Sequence, residues 1–234
     1  MSRGTWRVAG ARSWQTGVVR LFKILPTALW EARAQVLPTA PIDQRDGFMH
    51  LSAAWQLRET AQKHFSGQRH LTWIALDSGQ IDRAALRWEV SRDGALFPHV
   101  YGAVPLTAVL QSGELVGDRP GEFAFGQDVT ADEARRPSER SLDFSETDDA
   151  RFPFAARVDG AEWRVRVNEF PEEATLYSLF IDGMEVEQLL HWPKAWQRPR
   201  LPGNDEIERG TYERELAHAF DMRHVRPSKL VKKP

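Results

Sequence analysis

The chain has 234 residues, 41% of them hydrophobic and 27% charged, which is typical of globular proteins that bury a sizeable core. A formal net charge of -2 gives no overall attraction to nucleic acid or to an anionic membrane. The absence of cysteine excludes disulfides and a cysteine nucleophile, and no His/carboxylate spacing typical of a metal site occurs, so we predict none. Because no apolar run approaches the roughly 18 residues of a membrane span, and the Arg-rich first 20 residues lack a signal-peptide core, we predict a cytoplasmic protein without membrane partners.

Strand-like and helix-like runs alternate from residue 18 to about 112, a pattern that predicts an α+β domain. A first strand is followed by Pro26, which suits the first turn of a helix to about Gln35. After an Asp46-Gly47 turn, a second strand leads into another helix, whose amides Ser52 is able to cap. The predicted strands of this domain read VVRLFKIL, GFMHLS, HLTWIALD, LRWEVS and HVYGAVPL.

Residues 113–149 are predicted to form an acidic linker, because this segment has 11 acidic and 4 basic residues and few large apolar ones. Within the linker, Thr130 and Glu133 have the spacing of a capping box, which predicts one short helix. Pro137 is expected to end that helix.

Residues 150–200 are predicted to form a small antiparallel β-rich accessory domain. Alternating apolar runs meet at Asp159-Gly160 and again at Asp182-Gly183, and Asp-Gly is a dipeptide that favours two-residue hairpin turns. Trp192 and Trp196 are expected to close this sheet with apolar surface. A C-terminal tail, residues 201–234, contains one candidate helix, ERELAHAF, and ends in a basic segment.

Four motifs in the first domain, in the order DGFMHLS, TAQKHF, LRWEVSRDG and LFPHVYGAVPLTAV, resemble the bacterial domain of unknown function 952 family. The resemblance extends from about residue 21 to 110. That family in turn resembles the ADP-ribosyltransferase fold, a compact α+β domain with a cleft that holds NAD in its active members. The resemblance therefore implies an ADP-ribosyltransferase-like domain at residues 18–112, followed by the small β-rich unit.

The same resemblance implies a nucleotide site. In active transferases, a His-x-Ser or His-x-Thr strand holds the adenosine ribose and the nicotinamide of NAD, and His50 and Ser52 match that pattern. No Glu-x-Glu or Gln-x-Glu occurs on a late strand, where the corresponding segment, FPHVYG, offers His99 instead. Glu89 is a weaker candidate carboxylate, because its strand also fits an ordinary one with the charge in solvent.

Three further residues are candidates by their own chemistry. Arg92, next to an Asp93-Gly94 turn, is suited to bidentate phosphate contacts, although it could instead pair with Glu89. His99 could act as an acid or base near neutral pH, or make a structural hydrogen bond after Pro98. Tyr101, two residues further, offers a stacking face.

We therefore predict catalytic roles for His50 and His99, and NAD contacts for His50, Ser52, Arg92 and Tyr101. The predicted function is an NAD-binding, ADP-ribosyltransferase-like protein that cleaves the nicotinamide–ribose bond and transfers ADP-ribose to a protein or RNA acceptor chosen by the accessory domain. A non-catalytic nucleotide- or protein-binding module of the same fold remains an alternative. A third, weaker alternative is an NAD-dependent RNA 2′-phosphotransferase-like enzyme.

Overall fold

The structure is a computed structural model that describes residues 19–116, 129–169 and 173–197. The described residues form three α-helices, α1 (Thr27–Glu31), α2 (Pro41–Asp46) and α3 (Ala54–Phe65). Their strands are β1 (Arg20–Pro26), β2 (Met49–His50), β3 (Ser52–Ala53), β4 (Leu71–Asp77), β5 (Leu86–Val90), β6 (Leu96–Val100), β7 (Val109–Leu115), β8 (Leu142–Asp143), β9 (Ser145–Glu146), β10 (Phe154–Val158), β11 (Ala161–Val167), β12 (Tyr177–Ile181), β13 (Met184–Leu189) and β14 (Trp196–Gln197).

The main core lies between α3 and a four-stranded antiparallel sheet of order β3-β1-β4-β7. Phe22 and Trp73 of this sheet pack against Leu57 and Ala61 of α3, and all four side chains are buried. Fully burying an apolar side chain of the size of Leu or Phe contributes about 1.5–3 kcal/mol. This core therefore fixes α3 against the sheet.

A second, three-stranded sheet of order β2-β6-β5 carries the predicted site residues. The chain changes from this sheet to the first one at Leu51, which lies between β2 and β3 and donates its backbone N–H to Pro98. The hairpin between β5 and β6 turns at Asp93 and Gly94, both with positive φ. In this sheet, β2 therefore pairs with β6 at one edge of the β5–β6 hairpin.

The third sheet is five-stranded and antiparallel, in the order β13-β12-β11-β10-β9. The two predicted hairpins are present in it. Asp159 and Gly160 have φ of 49° and 83°, and Asp182 and Gly183 have 48° and 73°, as a two-residue turn with two left-handed residues requires.

A two-stranded parallel sheet of β8 and β14 lies next to the aromatic residues of the third sheet. Trp196 is buried, and its Nε1 donates a hydrogen bond to the carbonyl of Pro137. Trp192 packs with Phe144, Phe154 and Trp196 at ring-centroid distances of 5.0–5.6 Å. The tryptophans thus provide apolar closure, as expected.

The predicted fold class, an α+β ADP-ribosyltransferase-like domain followed by a small β unit, is wrong. The described chain is rich in β-structure, with several antiparallel sheets and three helices. The helix predicted to reach Gln35 ends at Glu31, because the backbone from Gln35 to Leu37 pairs with the segment at residues 104–106. The Thr130 and Glu133 side chains form their capping-box bonds, but around a single turn.

The described residues all belong to one compact unit, residues 1–198. Arg20 of β1 forms a two-bond ion pair with Glu133, and β13 lies beside β5 and β6. The predicted boundaries at 112, 149 and 200 stay predictions. Residues 117–128 of the linker, and the tail with its candidate helix, lie outside the described residues.

Candidate functional site

Helix α2 and the turn after it place His50. Pro41 occupies the first turn of α2, where a missing N–H costs nothing, and Asp43 Oδ2 accepts a hydrogen bond from the Ala40 N–H at 2.7 Å. The helix ends at Gly47 with φ of +79°, a left-handed conformation that glycine adopts without strain. Phe48 and His50 follow directly from this turn.

The His50 ring is held by a buried ion pair. Asp43 Oδ1 accepts hydrogen bonds from the backbone N–H of His50 and from its ring Nδ1, both at 3.0 Å. Lys23 Nζ donates to both Asp43 oxygens, at 2.8 and 2.7 Å, and to the His50 carbonyl at 3.0 Å. Three acceptors around one nitrogen require the protonated ammonium, so Lys23 is a cation here even though burial lowers its pKa.

Burial alone would raise the pKa of Asp43, but the hydrogen bonds from His50 and the charge of Lys23 outweigh it and hold that pKa well below its usual range. Asp43 is therefore a carboxylate at neutral pH and keeps the proton of His50 on Nδ1. The second ring nitrogen, Nε2, lies 3.4 Å from Asp46 Oδ2. The His50 side chain remains 34% exposed, which leaves it accessible to a ligand.

His99 lies directly opposite His50 on the neighbouring strand and is held in the same manner. Its Nδ1 lies 2.9 Å from Glu89 Oε2, and the Tyr101 hydroxyl donates to the same oxygen at 2.8 Å. Within the described part of the chain, no hydrogen bond engages Nε2 of His99. That nitrogen is therefore the ring atom with unused hydrogen-bonding capacity, in a side chain that is 8% exposed.

Phe48 brings the aromatic rings of the site together. Its ring centroid lies 4.6 Å from that of His50, 4.4 Å from that of His99 and 5.2 Å from that of Tyr101. The two histidine rings are themselves 5.3 Å apart. We call this surface of the three-stranded sheet the histidine face; it consists of Phe48, His50, Arg87, Glu89, His99 and Tyr101.

The electrostatics of the histidine face define its protonation at neutral pH. Burial lowers the pKa of His99, the neighbouring His50 lowers it further, and Glu89 only partly opposes them, so His99 is a neutral base. Burial would raise the pKa of Glu89, but hydrogen bonds from His99 and Tyr101 outweigh it and lower that pKa. The hydrogen bond to Glu89 raises the pKa of Tyr101. The face thus offers a neutral imidazole beside a carboxylate.

Arg92 lies at the end of this sheet, where its Nε and Nη1 make contacts of their own and its buried Nη2 has no hydrogen-bond partner among the described residues. Its guanidinium packs over the Phe97 ring at 4.9 Å, its Nε lies 3.3 Å from Glu59 Oε1, and its Nη1 lies 3.2 Å from His64 Nε2. Its side chain is 12% exposed. The pairing with Glu89 that the sequence left open is replaced by one with Glu59.

Ser52 is separated from the histidines by the change of sheet at Leu51. It is buried, and its hydroxyl donates to Thr60 Oγ1 of α3 at 3.1 Å. Ser52 does not cap α3, contrary to the prediction. At the start of this helix, the Ala53 N–H donates to the Gln56 side chain instead. The structure thus brings His50, His99 and Tyr101 together, and places Ser52 and Arg92 in contacts of their own.

Sequence reasoning missed Phe48, Arg87 and the two α2 carboxylates. Phe48 and Arg87 carried a usable signal, because each lies two residues from a site residue: Phe48 directly precedes the strand of His50, and Arg87 shares a strand and its face with Glu89. Asp43 and Lys23 carried none, because 20 residues separate them in sequence and the fold alone brings them together.

Other parts of the described structure offer less chemistry. No group of three His, Asp or Glu side chains among the described residues is arranged to hold a metal ion. A cavity lined by Arg20, Trp55, Glu133, Arg140 and Trp163 contains none of the predicted site residues. None of the helices in residues 19–116, 129–169 and 173–197 has the length and apolar character needed to cross a bilayer.

Comparison with known proteins gives a family and a small set of solved structures. Residues 24–112 match the family described as "Protein of unknown function (DUF952)". A crystal structure of protein CC0527 from Caulobacter crescentus is 36% identical over 45% of this chain and 93% of that chain, with a TM-score of 0.41. The solution NMR structure of CC0527 is 38% identical over 42% of this chain and 86% of that chain, with a TM-score of 0.38. No curated protein matches the chain.

Proposed function

We propose that the histidine face binds NAD and cleaves its nicotinamide–ribose bond. The chain belongs to the DUF952 family of proteins of unknown function, so no activity of the family is available as a guide. The observation that carries this proposal is the position of Glu89. The sequence lacks the expected late-strand carboxylate motif, yet Glu89 lies among His99, Tyr101 and the other rings of the face. The proposal rests on these residues and not on the fold, whose predicted class was wrong.

Glu89 has the charge that this reaction needs. When the bond between ribose C1′ and the nicotinamide nitrogen breaks, the electron pair leaves with nicotinamide, and the ribose becomes an oxocarbenium cation. A carboxylate stabilises that cation electrostatically, and the lowered pKa of Glu89 keeps it ionised at neutral pH. Its side chain is 36% exposed, so a ribose can approach it.

The remaining groups of the face match the other parts of NAD. Tyr101 is 39% exposed and, beside Phe48 and Arg87, offers apolar contact to a base or to nicotinamide. His99 is neutral, and its Nε2 can accept the proton that water or another acceptor loses as it attacks C1′. The products are nicotinamide and ADP-ribose, either free or attached to the acceptor.

The test is a measurement of nicotinamide release and of NAD binding on the full chain, with Glu89→Gln as the main variant. Gln keeps the size of the side chain and removes its charge, so release is expected to fall by about 100-fold or more while NAD affinity changes little. Glu114→Gln, an exposed glutamate on β7, is the matched control and is expected to behave as wild type. Absence of NAD binding, or unchanged release by Glu89→Gln, would contradict the proposal.

One observation favours a second candidate, the non-catalytic nucleotide-binding module. Glu89 Oε2 already accepts two hydrogen bonds, from His99 and Tyr101, and so has an internal structural role as well. For such a module, calorimetry would detect NAD or ADP-ribose binding that His50→Ala abolishes, with no nicotinamide released. The same samples therefore separate the two candidates.

A further inference from the structure

The strand register aligns three nitrogen-bearing side chains across the histidine face. On β6, His99 is paired with Arg87 of β5 on one side and with His50 of β2 on the other. Directly opposed residues of antiparallel strands project from the same face, with their Cβ atoms about 4.5–5.5 Å apart. Arg87, His99 and His50 therefore form one row across the sheet.

Arg87 is the member of this row whose charge is available to a ligand. It is exposed, and its guanidinium lies 4.7 Å from the centre of the Tyr101 ring. Among the described residues, no carboxylate forms an ion pair with it. Arg92, the phosphate contact predicted from the sequence, is nearly buried and already engaged by Glu59 and His64.

The carboxylates around the row have partners of their own. Asp43 is paired with Lys23, and Asp46 with Arg45. Glu89 accepts bonds from His99 and Tyr101. An anion that approaches the row thus meets the exposed guanidinium of Arg87, and its repulsion by the carboxylates is partly compensated by the partners that they already have.

We propose that this row marks the subsite for the diphosphate of the bound nucleotide, with Arg87 as the residue that donates hydrogen bonds to the phosphate oxygens. A guanidinium suits this task because its fork of N–H donors matches two phosphate oxygens at once. The cation–π contact with Tyr101 helps to hold the guanidinium on the histidine face. This inference rests on the proposed function, since it names the part of NAD that this row recognises.

Calorimetry on the full chain with inorganic pyrophosphate, ADP-ribose and nicotinamide riboside tests the subsite. Arg87→Gln is expected to weaken the binding of pyrophosphate and ADP-ribose by about 10-fold or more, because a charged hydrogen-bond donor is lost. The affinity for nicotinamide riboside, which has no phosphate, should stay nearly unchanged. The matched control is Arg33→Gln, because Arg33 is also exposed and also lies over an aromatic ring, that of Trp30, at 3.9 Å. The control should bind all three ligands as wild type does.

The outcomes separate this inference from the proposed function. If ADP-ribose binds equally well to wild type and Arg87→Gln, the subsite is wrong while nucleotide binding stands. If pyrophosphate binding depends on Arg87 but NAD does not bind, the anion subsite stands and the NAD proposal fails. If the wild type binds neither pyrophosphate nor ADP-ribose, both are wrong.

Discussion

Each of the two histidines has its Nδ1 next to a carboxylate, Asp43 for His50 and Glu89 for His99. Such a contact fixes the tautomer and orientation of an imidazole and leaves Nε2 for other chemistry. The two carboxylates differ in burial, since the Asp43 side chain is fully buried and that of Glu89 is 36% exposed. We infer that Asp43 positions His50, and that Glu89 is the carboxylate a ligand can reach.

Removal of the Tyr101 hydroxyl tests the electrostatics of this face. In Tyr101→Phe, Glu89 loses one of the hydrogen bonds that stabilise its charged form, so its pKa is expected to rise toward the ordinary value of 4.5. Titration of the ¹³C-labelled carboxyl group by NMR measures that pKa. An unchanged or lower pKa of Glu89 would show that the hydroxyl does not stabilise the carboxylate.

The sequence was sufficient to select the histidines and the tyrosine of the histidine face. It was insufficient to find the buried residues that hold His50 in place. His50 and His99 lie in short strands and Tyr101 directly follows the strand of His99, so their alternation with period two can be seen in the local sequence. Asp43 reaches His50 only because α2 folds back over β2, and Lys23 reaches Asp43 from another sheet. Such support depends on tertiary structure, which no local pattern contains.

At the scale of elements, the buried Lys23–Asp43 pair joins β1, α2 and β2. Asp43→Asn is expected to lower the free energy of unfolding by about 3–5 kcal/mol, because it leaves a buried ammonium without its counter-charge. The double variant Lys23→Met/Asp43→Leu removes both charges and should cost clearly less. Urea unfolding measures both, and equal losses in the two variants would contradict this account.

The same carboxylate gives a pH dependence with a defined sign. The pKa of Asp43 in the folded protein is lower than its unfolded value of 3.8. The ionised carboxylate therefore contributes fully to folding stability above about pH 3.8, and this contribution is lost as the pH falls from there toward the folded-state pKa. Wild type should therefore lose stability below about pH 4 more steeply than Asp43→Asn. Parallel curves for the two proteins would be inconsistent with the depressed pKa.

The close approach of β7 to β4 depends on a glycine. A Cβ added at Gly113 would lie 2.8 Å from Cζ2 of the buried Trp73, so Gly113→Ala should destabilise the protein by about 1–3 kcal/mol through overpacking. Gly102→Ala is the control, since its Cβ would meet Ala85 at an ordinary 3.6 Å. A shift in the urea midpoint of the Gly102 variant as large as that of the Gly113 variant would argue against this explanation.

Hairpins were predictable from the sequence and helix lengths were not. Asp-Gly at residues 93–94, 159–160 and 182–183 determines a tight turn by backbone conformation alone, and all three turns are present. The first helix ends early because residues 35–37 pair with residues 104–106, far along the chain. The fold class was wrong for the same reason, since long-range strand pairing decided the architecture.

At the scale of the molecule, the described residues behave as one compact unit within residues 1–198. Contacts between the regions predicted as separate domains include the Arg20–Glu133 ion pair and the hydrogen bond from Arg83 to the Asp182 carbonyl. We therefore expect one cooperative thermal transition, with equal calorimetric and van't Hoff enthalpies. Two resolved transitions in scanning calorimetry would instead support independent domains at 18–112 and 150–200.

The central claim is that the histidine face is a nucleotide site, and NMR of the histidine Cε1 protons during addition of ADP-ribose tests it most directly. We expect saturable shifts of the His50 and His99 resonances, which assignment by His→Gln substitution identifies. The exposed His70 and His191 serve as internal references and should not shift. If ADP-ribose leaves His50 and His99 unchanged, or shifts only His70 or His191, the nucleotide site does not lie on this face.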